Sequence, residues 1–259
     1  MLLAIDIGNS EITLGLGKAD VWHTRWRIPS FTDLPEIFYS HKILDNFFEN
    51  GIKREEVTCV VISSVVPELT DRIIHASMSL FEIEPVVMGP DVYQQLPIRV
   101  MNPYEIGSDL VCNSLAAFTF FKRRCIVVDF GTALTFTTLS DKGEILGVSI
   151  APGLKTAIRS LSQNTARLYD VPLEMPSSVL GRGTVHAIQA GVLFGYEGMV
   201  KHMLERIMNE LEDPKMSSVA TGGLSAIIPS LKEVFTHIDP NLTLTGLKIA
   251  GEIVKGETF

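Results

Sequence analysis

The stretch AIDIGNSEITLGL at residues 4–16 returns in altered form as VVDFGTALTFTTL at residues 127–139. In both, an apolar run reaches an acidic residue, Asp6 or Asp129. One apolar residue later comes Gly8 or Gly131, then a short polar residue, Asn9 or Thr132, and then a second apolar segment. Burying an unpaired carboxylate is expensive, so a strand does not carry one without a use for it. One such acid reads equally well as a turn residue, because Asp, Gly and Asn all favour turns. Its recurrence at the same point of two apolar runs favours phosphate or metal handling. The copies lie nearly half the 259-residue chain apart, so the chain is expected to fold as two similar halves.

Hydrophobic periodicity and turn residues outline both halves. The first has expected strands near 2–6, 11–17 and 20–27, a helix near 33–49, a strand near 57–63, a helix from Pro67 to about 81 and a strand near 84–88. Pro67 falls where a first helical turn tolerates proline. A helix near 107–121 links the halves. The second has strands near 124–129, 133–139 and 144–150, helices near 154–164 and 184–212, a strand near 217–221 and a helix from about 223 to 236. Thr184 reads as the N-cap of its long helix. This βββαβα order, given twice, resembles the ribonuclease H-like halves of the actin and sugar-kinase type of fold. The expected class is therefore α/β, with ribonuclease H-like domains at 1–116 and 117–259 and a nucleotide cleft between them. Each Asp-x-Gly turn would let backbone amides approach phosphate oxygens closely.

Composition narrows the function. A hydrophobic content of 46% with 20% charged residues describes an ordered globular chain. A formal net charge of −8, with Lys122-Arg123-Arg124 as the longest basic run, argues against a nucleic-acid binder. Cys59, Cys112 and Cys125 are scattered through apolar stretches, as expected of buried thiols in a reducing compartment. The six histidines never reach a zinc-like spacing. No basic leader precedes Asp6, and no apolar run approaches the ~20 residues of a membrane-spanning helix, so a cytoplasmic protein without membrane or nucleic-acid partners is expected.

Other phosphate motifs fail. GLGK at 15–18 has Ile12 where a P-loop needs its first glycine and Ala19 where it needs a hydroxyl. No G-x-S-x-G is present, so a hydrolase elbow is unsupported. A carboxylate beside phosphate makes sense through a cation, and Mg²⁺ takes one or two carboxylates together with phosphate oxygens. A third acid, Asp109 in NPYEIGSDLVCN, follows Gly107 and Ser108 at a plausible helix start. It reads either as a favourable first-turn charge or as a base for a substrate hydroxyl. Gly222-Gly223, the APGL at 151–154 and the GRGT at 181–184 are further glycine turns at segment edges.

Taken in order, these stretches resemble the type III pantothenate kinases, bacterial enzymes of coenzyme A synthesis. The resemblance rests on IDIGNS at 5–10, SSVVPEL at 63–69, NPYEIGSD at 102–109 and VVDFGTALT at 127–135. IAPGLKTAIRSLSQNTA at 150–166, GRGTVHAIQAG at 181–191, ATGGLSA at 220–226 and LTLTGLKIA at 242–250 complete it. It implies ATP-dependent phosphorylation of pantothenate to 4'-phosphopantothenate by a homodimer. ATP would be held by Asp6, Ile7, Gly8, Asn9, Ser10, Glu11, Ile12, Thr13 and Thr132, with Mg²⁺ bridging phosphate near Asp6. Asp129 would hold a monovalent cation, K⁺ or NH₄⁺. Asp109 would be the catalytic base, and Gly107, Ser108, Asp109, Leu110 and Thr184 would line the pantothenate site. Thr184 would reach across to the partner's pantothenate.

Four positions depart from the family pattern: Leu110 in place of Arg, Val148 in place of the second of two glycines, Thr137 in place of an acid, and Leu168-Tyr169 in place of Leu-Pro. Leucine offers no cationic fork for a carboxylate. These departures keep two alternatives open, a non-catalytic nucleotide-binding homologue and a kinase of a different small alcohol.

Overall fold

A computed structural model describes residues 1–18, 21–163 and 171–259. It divides into two compact units, residues 1–120 with 242–259 and residues 121–241. In the first unit, strands β1 (Leu2–Ile7), β2 (Glu11–Lys18), β3 (Val21–Pro29), β4 (Cys59–Ser64) and β5 (Val86–Val87) form a sheet in the order β3-β2-β1-β4-β5. β1–β2 and β2–β3 are antiparallel, whereas β1–β4 and β4–β5 are parallel. The second sheet contains β6 (Cys125–Phe130), β7 (Ala133–Leu139), β8 (Ile145–Pro152), β9 (Ser217–Thr221) and β10 (His237–Ile238), in the order β10-β9-β6-β7-β8. Read from the opposite edge, the two orders coincide strand for strand, and so do the pairing directions. The repeated sequence is thus a repeated sheet.

β1 reads LLAIDI, a near-continuous apolar run, because both faces of the strand are covered. One face, with Leu3, Ile5 and Ile7, joins a core with Tyr39, Ile43 and Phe47 of α1 (Glu36–Glu49) and Leu69 and Ile73 of α2 (Pro67–Phe81). Each fully buried Ile or Leu contributes about 1.5–3 kcal/mol. α2 begins on Pro67 and ends at Glu82, whose φ of 57° is the left-handed conformation that closes a helix.

The other face carries a helix that the sequence reading left unassigned, α7 (Leu242–Lys255), preceded in the chain by α3 (Pro90–Tyr93) and α4 (Ser108–Phe121). A Cβ at Gly246 of α7 would lie 2.0 Å from the Cys112 carbonyl oxygen of α4. Only glycine allows these two backbones to meet. A division at 116/117 places 242–259 in the second half, whereas by packing that segment sits with the first.

In the second unit α5 (Leu154–Gln163) and α6 (Thr184–Glu210) cover the face of Val128, Phe130, Leu134 and Phe136 with Leu154, Ile158, Val192, Leu193 and Tyr196. Two expectations need correction here. Residues 223–236 do not form a helix: after Gly222, at φ +87°, the chain runs through turns and a single 3₁₀ turn, Pro229–Leu231. Pro229 lacks the N–H an interior helical position needs. Thr184 is the first residue of α6 rather than its N-cap, which is Gly183, and no side-chain bond caps this helix. The expected strand residue 20, helix residue 164, the Ala19 comparison and the departures at Leu168-Tyr169 lie outside the described residues. All three cysteines are buried free thiols. Burial pushes Cys59 up to about 11 and Cys125 up to about 12, so both stay protonated at neutral pH.

Candidate active site

Asp6 is the fifth residue of β1 and Asp129 the fifth of β6; each is partly exposed in a strand otherwise buried throughout. Their neighbours match too. Asp6 lies opposite Thr13 on one side and Ser63 on the other, and Asp129 lies opposite Thr135 and Thr221. Each acid therefore sits in a row of hydroxyl-bearing residues at the end of its sheet. The turns that follow differ by one residue. Gly8 N–H donates to the Glu11 carbonyl (3.1 Å), and Gly131 N–H to that of Ala133 (3.0 Å).

In the 6–13 segment, Ile7 and Ile12 are fully buried in the core, so they can present only backbone to a ligand. Asn9, Ser10 and Glu11 are exposed. Glu11 pairs with Arg27 at 2.8 Å, a half-exposed ion pair worth about 0–1 kcal/mol. Ser30, which the sequence reading missed, steadies the turn: its hydroxyl donates to the Gly8 carbonyl (2.6 Å) and its N–H to that of Ser10 (3.2 Å).

Asp109 occupies the first turn of α4. Burial raises its carboxyl above the usual carboxylate range, while the N–H groups of Leu110 and of Asp109 itself pull it back down. The Leu110 amide donates to Asp109 Oδ1 at 2.8 Å. Asp109 is thus a first-turn acid whose carboxyl burial raises. A Cβ on Gly107 would fall 2.4 Å from that Oδ1, so glycine leaves room for the carboxylate. Leu110 itself is buried, at 9% exposure, and serves this corner through its backbone. Ser108 is also buried, and its hydroxyl is engaged by Ser63 and Ser64. The Cys112 thiol, one turn along α4, is raised by burial and by the charges of Asp6 and Asp109. Ser63, the β4 partner of Asp6 in register, lies 2.9 Å from the hydroxyl of Ser108, the residue before Asp109, so the strand end with Asp6 adjoins the helix start with Asp109. Tyr93 joins them, its hydroxyl raised by burial and by Cys112 and Asp109.

In the second unit the space beside the Gly222 α-carbon is bounded by Asp129 Oδ1, 2.5 Å from where a Cβ would be, and the Phe130 carbonyl oxygen at 2.7 Å. Both oxygens pack directly against the glycine, and a carboxylate with a carbonyl oxygen is a donor set of the kind a hard cation takes. The Thr132 carbonyl accepts from Gly153 N–H (3.0 Å) and from the Thr156 hydroxyl (2.7 Å). The Tyr196 hydroxyl in turn holds the Pro152 carbonyl at 2.6 Å. Thr184 is exposed on the rim of an apolar depression of about 400 Å³, with Leu161, Ala187, Ile188, Gly191 and Val192. Two of the departing positions, Thr137 and Val148, are cross-strand partners between β7 and β8. Among the described residues no three His, Cys, Asp or Glu side chains converge, so a cation at Asp6 would take its other ligands from hydroxyls, backbone, water or phosphate. That donor set fits Mg²⁺ carried on a nucleotide.

Two matched mixed sheets, each with an acid at the end of its central strand, define the class of two-domain α/β kinases of the sugar-kinase type. A Sinorhizobium meliloti protein described as a 2-dehydro-3-deoxygalactonokinase shares the fold, with a TM-score of 0.58, 12% identity and coverage of 98% of this chain and 97% of that one. The sequence model of the type III pantothenate kinases matches residues 2–206. The chain is 39% identical to the type III pantothenate kinase of Myxococcus xanthus over 96% of its own length and 97% of that protein's. It is 36% identical to that of Dehalococcoides mccartyi, covering 96% of each. This chain belongs to the type III pantothenate kinase family.

Proposed function

We propose that this chain transfers the γ-phosphoryl group of ATP to the primary hydroxyl of pantothenate, giving 4'-phosphopantothenate and ADP at the start of coenzyme A synthesis. The observation that carries this reading is the corner of the first unit where Ser63, beside Asp6 in the sheet, bonds Ser108, the residue before Asp109. In the proposed reaction Asp109 takes the proton of the attacking hydroxyl as the new O–P bond forms and the bond from Pγ to the β-phosphate bridge breaks. An elevated carboxylate suits this role, since a base works best with a pKa nearer the working pH. The 6–13 turn supplies backbone N–H groups and the exposed Asn9 and Ser10 to the phosphates, together with Thr132. Magnesium, when bound, neutralises phosphate charge beside Asp6. Asp129 would hold a monovalent cation, K⁺ or NH₄⁺. Gly107, Ser108 and Leu110 shape the acceptor end through backbone, and the exposed Thr184 meets pantothenate across a homodimer. With little covalent work for the protein, rate comes from positioning and charge neutralisation.

The test is product identification. Purified protein with γ-labelled ATP, Mg²⁺, K⁺ and pantothenate is expected to put the label on pantothenate. Label transfer to other small alcohols and none to pantothenate would replace the acceptor. ATP binding with no transfer to any acceptor would support the non-catalytic alternative.

A further inference from the structure

The corner that holds Asp109 is built on a hydroxyl pair between β4 and α4. Ser63 is fully buried and pairs directly with Asp6 across the parallel β1–β4 register. Its Oγ lies 2.9 Å from Ser108 Oγ, and Ser108 immediately precedes Asp109. Ser108 Oγ also lies 3.0 Å from the Ser64 nitrogen and 3.0 Å from the Ser64 carbonyl oxygen.

Counting donors sets the direction of these bonds. The Ser64 N–H can only donate, and the Ser64 carbonyl can only accept, so the single Ser108 proton goes to that carbonyl. Ser63 must then donate to Ser108. The chain thus runs one way, from Ser63 to Ser108 to the Ser64 carbonyl. It ties the first turn of α4 to the end of β4, beside Asp6.

We propose that Ser63 is a positioning residue, which fixes the carboxylate of Asp109 relative to Asp6 through its bond to Ser108. The proposal rests on the reading of Asp109 as the base. A buried pair is the right device for the task, because displacing a reacting group by about 1 Å can cost on the order of 100-fold in rate. The groups facing Asp109 are Cys112 of its own helix and Tyr93 of α3, while Asp6 of β1 faces the same thiol.

Ser63→Ala tests it, read as pantothenate-dependent ADP release per folded molecule across pH beside the unaltered protein. The expected result is a kcat lower by about 10- to 100-fold with KM for ATP held. The acid limb of the kcat profile is expected to move to lower pH as water reaches Asp109. Ser63→Thr, which keeps the donating hydroxyl, should recover most of the lost kcat. A folded Ser63→Ala protein with unchanged kcat and acid limb, and only a lower melting temperature, would overturn the proposal. If Ser63→Ala does not fold, Ser63→Cys keeps the volume with a weaker donor and is judged by the same two readouts. Absence of pantothenate-dependent turnover in the unaltered protein would instead overturn the kinase reading on which the proposal rests.

Discussion

Asp109 carries a carboxyl that burial raises and that the Leu110 amide partly restrains. A carboxyl whose folded pKa exceeds its unfolded one stabilises the fold fully below the unfolded pKa, and this contribution is lost as pH rises through the folded value. At neutral pH the charge is therefore a stability cost, as expected where a residue is kept for the proposed role of base. Asp109→Asn should lower kcat by about 10²- to 10⁴-fold. It should also melt higher than the unaltered protein at pH 7, with the gain shrinking as pH falls into the ordinary carboxylate range; calorimetry across pH checks this. Gly222 is the residue whose replacement should harm the second unit. At φ +87°, with Asp129 Oδ1 at 2.5 Å from the added carbon, Gly222→Ala combines backbone strain with a clash. A loss of about 1–3 kcal/mol or more in denaturant unfolding is expected. The matching strand-end positions of Asp6 and Asp129 and the helix-start position of Asp109 were legible in the sequence, because a repeat and a helix start mark them. The contacts of Ser30 and Ser63 were not, since they join distant segments that no local spacing records.

At the scale of elements, β1 to β4, α1, α2, α4 and β6 to β9 follow from apolar periodicity and turn residues. The failure at 223–236 has a local cause that was visible in Pro229, whereas its buried Ile228, Leu231 and Phe235 imitate a helical stripe. The final helix was missed as an element of the first sheet because its place there is set by a close approach, not by its own pattern. Gly246→Ala would put a carbon 2.0 Å from the Cys112 carbonyl oxygen. It should force α7 away from α4 at a cost of about 1–3 kcal/mol, seen as a lower urea midpoint with an unchanged m-value. Because α4 carries Asp109, the same change should lower kcat.

For the whole molecule, the repeat accounts for one acid in the central strand of each sheet, and the two sheets then diverge around them. In the second sheet the Asp129 carboxylate and the Phe130 carbonyl pack against Gly222, and the proposed monovalent cation gives that acid a test. Activity should be high in potassium or ammonium salts and low in choline, and Asp129→Asn should remove that difference. The measurement that bears most directly on the function is ADP release by the purified protein with ATP, Mg²⁺ and K⁺, with and without pantothenate, repeated with Asp109→Asn. Release that requires pantothenate and is lost in a folded Asp109→Asn protein is the expected result. Equal release without pantothenate, or undiminished release in the Asp109→Asn protein, would contradict it.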